Sequence, residues 1–102
     1  MLNQIVLVGR LQKITRIQDD NVIITLSVPR SFKNEDGEYV NDYIDISIFG
    51  EVAKTTSEYC KKDDIIGVKG RIQSKEIEKY HTKMTIMEII GEKVTFLSSK
   101  SE

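Results

Sequence analysis

The sequence predicts an all-β protein: five strands with one short helix between strands 3 and 4, an order that fits a five-stranded Greek-key barrel. Three observations predict it. Asn41-Asp42-Tyr43-Ile44-Asp45-Ile46-Ser47-Ile48-Phe49-Gly50 alternates isoleucine with other residues, the mark of a strand with one buried face. The turn signals Asp19-Asp20-Asn21 and Asn34-Glu35-Asp36-Gly37 set two further apolar, alternating segments ahead of it. Helical spacing occurs in one stretch, residues 50–62, and two more alternating segments follow.

The first strand is read over residues 1–11. Ile5, Leu7, Gly9 and Leu11 share one face, and Val6, Val8 and Arg10 share the other. A strand apolar on both faces calls for cover on both, by the barrel core and by a partner or helix. Gly9 permits a sharp bend. Residues 12–18 could continue the strand. The second strand covers residues 22–28, with Val22, Ile24, Leu26 and Val28 facing the core, and Pro29 ends it or sits on an edge. Arg30, Phe32 and Lys33 stand at the base of the hairpin that follows, where Phe32 can plug the loop.

In the third strand Ile44, Ile46 and Ile48 point inward, and Tyr43, Asp45, Ser47 and Phe49 point outward. Two aromatic rings on a polar face admit two readings. A loop, helix or partner subunit covers them, which the pattern alone favours, or nucleobases stack on them. The helix then places Val52, Ala53, Tyr59 and Cys60 on one face and Lys61 and Lys62 in its last turn, with Asp63-Asp64 closing it. The fourth strand, residues 65–77, turns Ile66, Val68, Gly70 and Ile72 to the core and Lys69, Arg71, Gln73 and Lys75 away from it. That basic row fits either a solvated face or a phosphate track. A polar hairpin tip containing Tyr80 and His81 leads to the fifth strand, residues 84–90, and Gly91 precedes a last extended piece, residues 92–97.

The chain of 102 residues holds one domain, residues 1–97, followed by a frayed end at 98–102. One cysteine excludes an internal disulfide and fits a reduced, cytoplasmic setting. The apolar run at residues 5–8 is too short for a signal peptide or a membrane span, so no membrane partner is expected. With 15 basic and 16 acidic residues the net charge is −1, lower than nucleic-acid binders often carry. The field that matters acts within a Debye length of roughly 8–10 Å, so a basic groove with an acidic back remains compatible with that total. One histidine, one cysteine and no phosphate-loop, zinc or triad spacing leave no catalytic constellation, and no cofactor or metal is implied.

The segment 1–11, Asp42-Tyr43-Ile44, Ile48-Phe49-Gly50, Glu58-Tyr59-Cys60-Lys61-Lys62, Val68-Lys69-Gly70-Arg71-Ile72-Gln73 and Glu92-Lys93-Val94-Thr95-Phe96-Leu97 together resemble the bacterial single-stranded DNA-binding protein family. The matches run in order over essentially the whole chain. The resemblance implies the oligonucleotide/oligosaccharide-binding (OB) fold and sequence-independent binding and protection of single-stranded DNA in replication, recombination and repair. It places Phe32, Tyr43 and Phe49 where the family stacks bases, and Lys33, Lys62 and Lys75 at or near positions that contact phosphate. Arg30, Lys69 and Arg71 join the basic path on this reading. It also implies a homo-oligomer, a tetramer with a dimer as the alternative, in which first strands pair through Leu2, Ile5, Val6, Leu7 and Val8.

The chain departs from the family pattern in several places. Ile77 stands where an aromatic is usual, and Tyr80 is the candidate to substitute for it. Asp45 and Glu51 bring negative charge near the stacking strand. The first hairpin is short, and there is no tryptophan. The sequence stops at Glu102 without the acidic tail through which the family recruits replication and repair enzymes, as expected of a trimmed chain or of a tailless relative from a phage, plasmid or other mobile element. Two rivals are a dimeric primosomal replication-restart adaptor of the same fold and a protein-interaction module with weak DNA binding.

Overall fold

A computed structural model describes residues 1–99. The elements are β1 (Ile5–Arg16), β2 (Val22–Lys33), β3 (Tyr39–Ile48), α1 (Gly50–Tyr59), β4 (Ile65–Lys79) and β5 (Thr82–Ser98). The strands close into one barrel in the order β1-β2-β3-β5-β4, all neighbours antiparallel except the short parallel contact of β3 with β5 at Ser47↔Ile90 and Ile48↔Gly91. This is the predicted barrel, with its helix between the third and fourth strands.

Alternation in the sequence becomes burial in the fold. Leu11, Val22, Ile24, Leu26, Ile46, Ile48 and Ile66 lie wholly inside, and Ala53 and Cys60 from the helix region join the same core. Burial first, and the Asp64 carboxylate second, push the Cys60 thiol above its usual range. Gly9 is needed for close approach rather than for a bend. A Cβ there would lie 2.6 Å from the carbonyl oxygen of Ser27 and 2.9 Å from Val28 Cγ2. β1 runs on to Arg16 past an irregularity between Leu11 and Lys13, where Leu11 exchanges backbone hydrogen bonds with the turn after the helix, at Asp63 and Asp64.

Four expectations need correction. The helix ends at Tyr59, so Lys61 and Lys62 are not in its last turn. Residues 61–64 form a turn instead, with the Lys61 amide donating to Asp64 Oδ2 at 2.8 Å. Tyr59 lies exposed, and Thr56 takes the buried position beside Ala53. Pro29, by contrast, takes the second of its two expected places: it sits on an edge, beyond the point where β1 has left the ladder, and β2 continues to Lys33 through a register shift. Gly91 does not divide the last segment. β5 is one strand of 17 residues, and its bulge near Gly91 leaves Glu92 without a partner on β4. Ser98, expected at the start of a frayed end, pairs with Ile65, while residues 100–102 lie outside the described residues.

Candidate nucleic-acid interface

β3 fixes the geometry of the surface. Its outward positions carry Tyr39, Tyr43, Asp45 and Ser47 in sequence, and their β2 partners in register are Lys33, Ser27, Thr25 and Ile23. Tyr43 and Phe32 are 65% and 69% exposed, and Phe49, in the position before α1, is 47% exposed. These are large apolar rings that the folded chain leaves in solvent. Phe49 offers the helix no side-chain cap. Asn21 Oδ1 instead accepts the Gly50 amide at 3.1 Å, at a residue whose φ of +63° suits glycine.

Beyond Arg71 on β4 and Ile90 on β5, no third strand among the described residues pairs with these two. They continue as a two-stranded arm to the tip at Tyr80 and His81, both with positive φ, as a tight two-residue hairpin requires. Asn3 props the root of this arm. Its side chain both accepts from the Ile72 amide at 3.0 Å and donates to the Ile72 carbonyl, extending the β1–β4 ladder by one side-chain rung.

Between the outer face of β2–β3 and this arm lies a groove of about 510 Å³, lined by Ile23, Tyr43, Ile44, Asp45, Ser47, Lys75 and the run Ile86, Met87, Glu88 and Ile89. The structure thus brings Tyr43 and Lys75 together, 32 residues apart in the chain. Thr25 Oγ1 donates to Asp45 Oδ1 at 2.7 Å, Ser47 Oγ to Glu88 Oε2 at 3.1 Å and Gln73 Nε2 to Glu88 Oε1 at 3.4 Å.

The other candidates lie outside the groove lining. Phe32 and Arg30 stand in the irregular part of β2, Lys62 is exposed in the turn after α1, and Tyr80 is exposed at the arm tip. Ile77 is half-buried on the arm opposite Met84. Lys69 pairs with Val6 of β1 and shares the outer face of that strand rather than the groove. Two guanidinium groups are already engaged: Arg30 with Asp42, and Arg71 with Glu92 at 2.6 Å, its other arm reaching Gln73. Lys33 Nζ sits 5.5 Å from the centroid of the Tyr39 ring, and Lys79 holds the same relation to Tyr80.

Sequence reasoning missed Tyr39, Met87 and Glu88. Tyr39 was findable, since it shares the parity of Tyr43 once β3 is carried two residues further back. Met87 and Glu88 reach the groove only because the arm lies beside β3, a long-range placement that no local pattern carries.

The first-strand candidates divide by face. Val6 and Val8 are exposed at 69% and 50%, and Leu2 is also exposed, whereas Leu7 packs against the core and Ile5 is half-buried. Leu97 lies beside Val8 over Gly67, so the exposed apolar face continues onto β5.

Comparison with known proteins adds five findings. The model of the Single-strand binding protein family matches residues 2–97. Single-stranded DNA-binding protein B of Bacillus subtilis is 35% identical over 106 residues, spanning 98% of this chain and 94% of that protein. Single-stranded DNA-binding protein 1 of Clostridium acetobutylicum is 32% identical over 108 residues, spanning 99% and 98%. Among solved structures, the mitochondrial single-stranded DNA-binding protein of S. cerevisiae superposes with a TM-score of 0.74 at 17% identity, covering 97% of this chain and 98% of that one. A Plasmodium falciparum single-stranded DNA-binding protein in complex with single-stranded DNA gives 0.73 at 21% identity, covering 96% of each. At these identities the structural likeness speaks for the fold.

Proposed function

The chain belongs to the single-strand binding protein family, and from that premise we propose that it binds and protects single-stranded DNA during replication, recombination and repair. It is a binding protein, not an enzyme. The observation that carries the reading is the pair of exposed rings on the outer face of β3, Tyr39 and Tyr43, with Tyr43 lining the groove and Phe32 and Phe49 also left in solvent. Bases stack on such rings for about 1–3 kcal/mol each, with little regard to sequence because every base has a π-face. A duplex hides those faces. Lys75 at the groove, with Lys33 and Lys62 elsewhere on the surface, follows the phosphates, and Arg30 and Arg71 join once they leave their carboxylates. Ile77 and Tyr80 extend the contact along the arm.

The outer face of β1, with Leu2, Val6 and Val8 and the edge around Ile5 and Leu7, serves as the contact between copies of the chain, giving a tetramer. Lys69 lies beside that contact. The setting is the cytoplasm, on exposed strands, together with the proteins that replicate and repair them.

Fluorescence anisotropy with a labelled, mixed-sequence single strand, at low and moderate salt and against a duplex of equal length, tests the reading. Tight binding to the single strand alone, weakened by salt, supports it. Absence of binding at low salt overturns it.

A further inference from the structure

Backbone pairing of β1 with β4 stops at Ile5↔Gly70. Carried two residues on, that register sets Asn3 opposite Ile72, and there a side chain replaces the backbone. The Asn3 carboxamide accepts from the Ile72 amide at 3.0 Å and donates to the Ile72 carbonyl. A carboxamide carries the acceptor and the N–H donor of a peptide group, so it completes a rung as backbone would. Aspartate in its place could only accept, and alanine could do neither.

The rung lies at the row where the ribbon leaves the barrel. Ile72 pairs with Ile89, which packs against the core and lines the groove. One row further out Gln73 pairs with Glu88, and Glu88 accepts from Ser47 of β3. The root is thus tied to the barrel at both edges in adjacent rows, β4 to β1 by Asn3 and β5 to β3 by Ser47. Ser47 lines the groove itself. Asn3 does not, because β4 and β5 stand between it and β3.

We propose that Asn3 is a positioning residue for strand binding: without touching DNA in the groove, it fixes the ribbon at the angle that holds Ile86 and Met87 against Tyr43. The inference rests on the DNA-binding reading above. Without the rung, β4 is held at this row by β5 alone, and two strands by themselves are a marginal structure where a third gives support. The rung is exposed, so water takes up the freed Ile72 groups and the barrel loses little. The loss falls on the placement of the ribbon.

The test compares Asn3→Ala with the wild type in three readings. Affinity for a labelled, mixed-sequence single strand should fall by about three- to thirtyfold, the range in which residues that touch no ligand modulate a distant site. Melting temperature and mass in solution should stay as they were. Amide hydrogen exchange of the DNA-free protein should quicken in the ribbon, residues 72–79 and 82–89, and not in β2. The third reading is a double-mutant cycle with the paired substitution Ile86→Ala and Met87→Ala on the groove wall. The loss from Asn3→Ala should shrink once that wall is cut back, whereas unconnected sites act independently. Undiminished affinity or unchanged ribbon exchange in folded Asn3→Ala overturns the proposal. Full independence in the cycle overturns it as well, and a smaller mass does so by assigning the loss to the contact between copies. Failure of the wild type to bind any strand removes the DNA-binding reading and this role with it, and the exchange measurement, made without DNA, tells that failure from a rung that holds nothing.

Discussion

The Arg30 guanidinium lies flat against the Asp42 carboxylate across the β2–β3 hairpin, with Nη2 2.9 Å from Oδ1 and Nε 3.2 Å from each oxygen. The hydrogen bonds, more than the bare charges, hold Asp42 below the ordinary carboxylate range and raise Arg30 further. Because Asp42 is depressed, whatever the pair adds is fully present above the unfolded carboxylate value, about 3.9, and is lost as pH falls through the lower folded one. The pair therefore stays intact at neutral pH and withholds one cation from phosphate. Asp42→Asn should free it. The slope of log affinity against log salt should steepen by roughly 0.7, the contribution of one further phosphate contact on a single strand. An unchanged slope would show that Arg30 does not reach the strand.

Tyr43→Ala and Phe49→Ala should each weaken binding by about 1–3 kcal/mol, the value of one base stacked on one ring. Both side chains are exposed, so melting temperature should move little, since surface changes usually stay within about 0.5 kcal/mol. A folded double variant with undiminished affinity would sink the stacking account.

Gly70→Ala should destabilise the barrel. Its Cβ would overlap the Ile90 carbonyl, a backbone group fixed in the ladder beside the β5 bulge. Overpacking of this kind costs about 1–3 kcal/mol or more. In a domain this size each kcal/mol lowers Tm by roughly 4–8 °C. Thermal denaturation followed by circular dichroism checks it, and an unaltered midpoint would mean that β4 and β5 slide apart freely at this register.

Val8→Glu should lower the mass of the protein in solution. The residue lies on the exposed face of β1, beside Leu97, where a charge would have to be desolvated in a contact between copies. Light scattering on wild type and variant reads the result. An identical oligomer in both would place the interface elsewhere.

The barrel was legible because its core residues announce themselves locally. Ile44, Ile46 and Ile48 set the inward face of β3 by alternation alone, and Asp36-Gly37 marked the turn before it, closed in the fold by Asn34 Oδ1 accepting from Asp36 and Glu38. Tyr43 and Phe49 were legible as oddities on a polar face. The end of the helix was not, because the Lys61 amide finds the Asp64 carboxylate three residues ahead instead of continuing the helix. The unity of β5 was hidden by Gly91, which reads as a break in sequence. In space it is the spot where Ile46, Ile48 and Val68 crowd in, 3.0–3.2 Å from where a Cβ would lie. The groove could not be read at all, since it exists only where Ile86–Ile89 lie beside Tyr43 and Asp45.

That unbroken β5 gives the molecule a mechanical property. The same strand is barrel wall at one end and projecting ribbon at the other, and the ribbon residues 72–79 reach roughly 25 Å at about 3.3 Å per residue. The ribbon is a cantilever clamped at Gly91 and at the Asn3 rung, only two strands thick along its free length. The root of the ribbon therefore sets how far Ile86 to Ile89 stand from Tyr43, and any turn of the ribbon about that root changes the width of the groove between them.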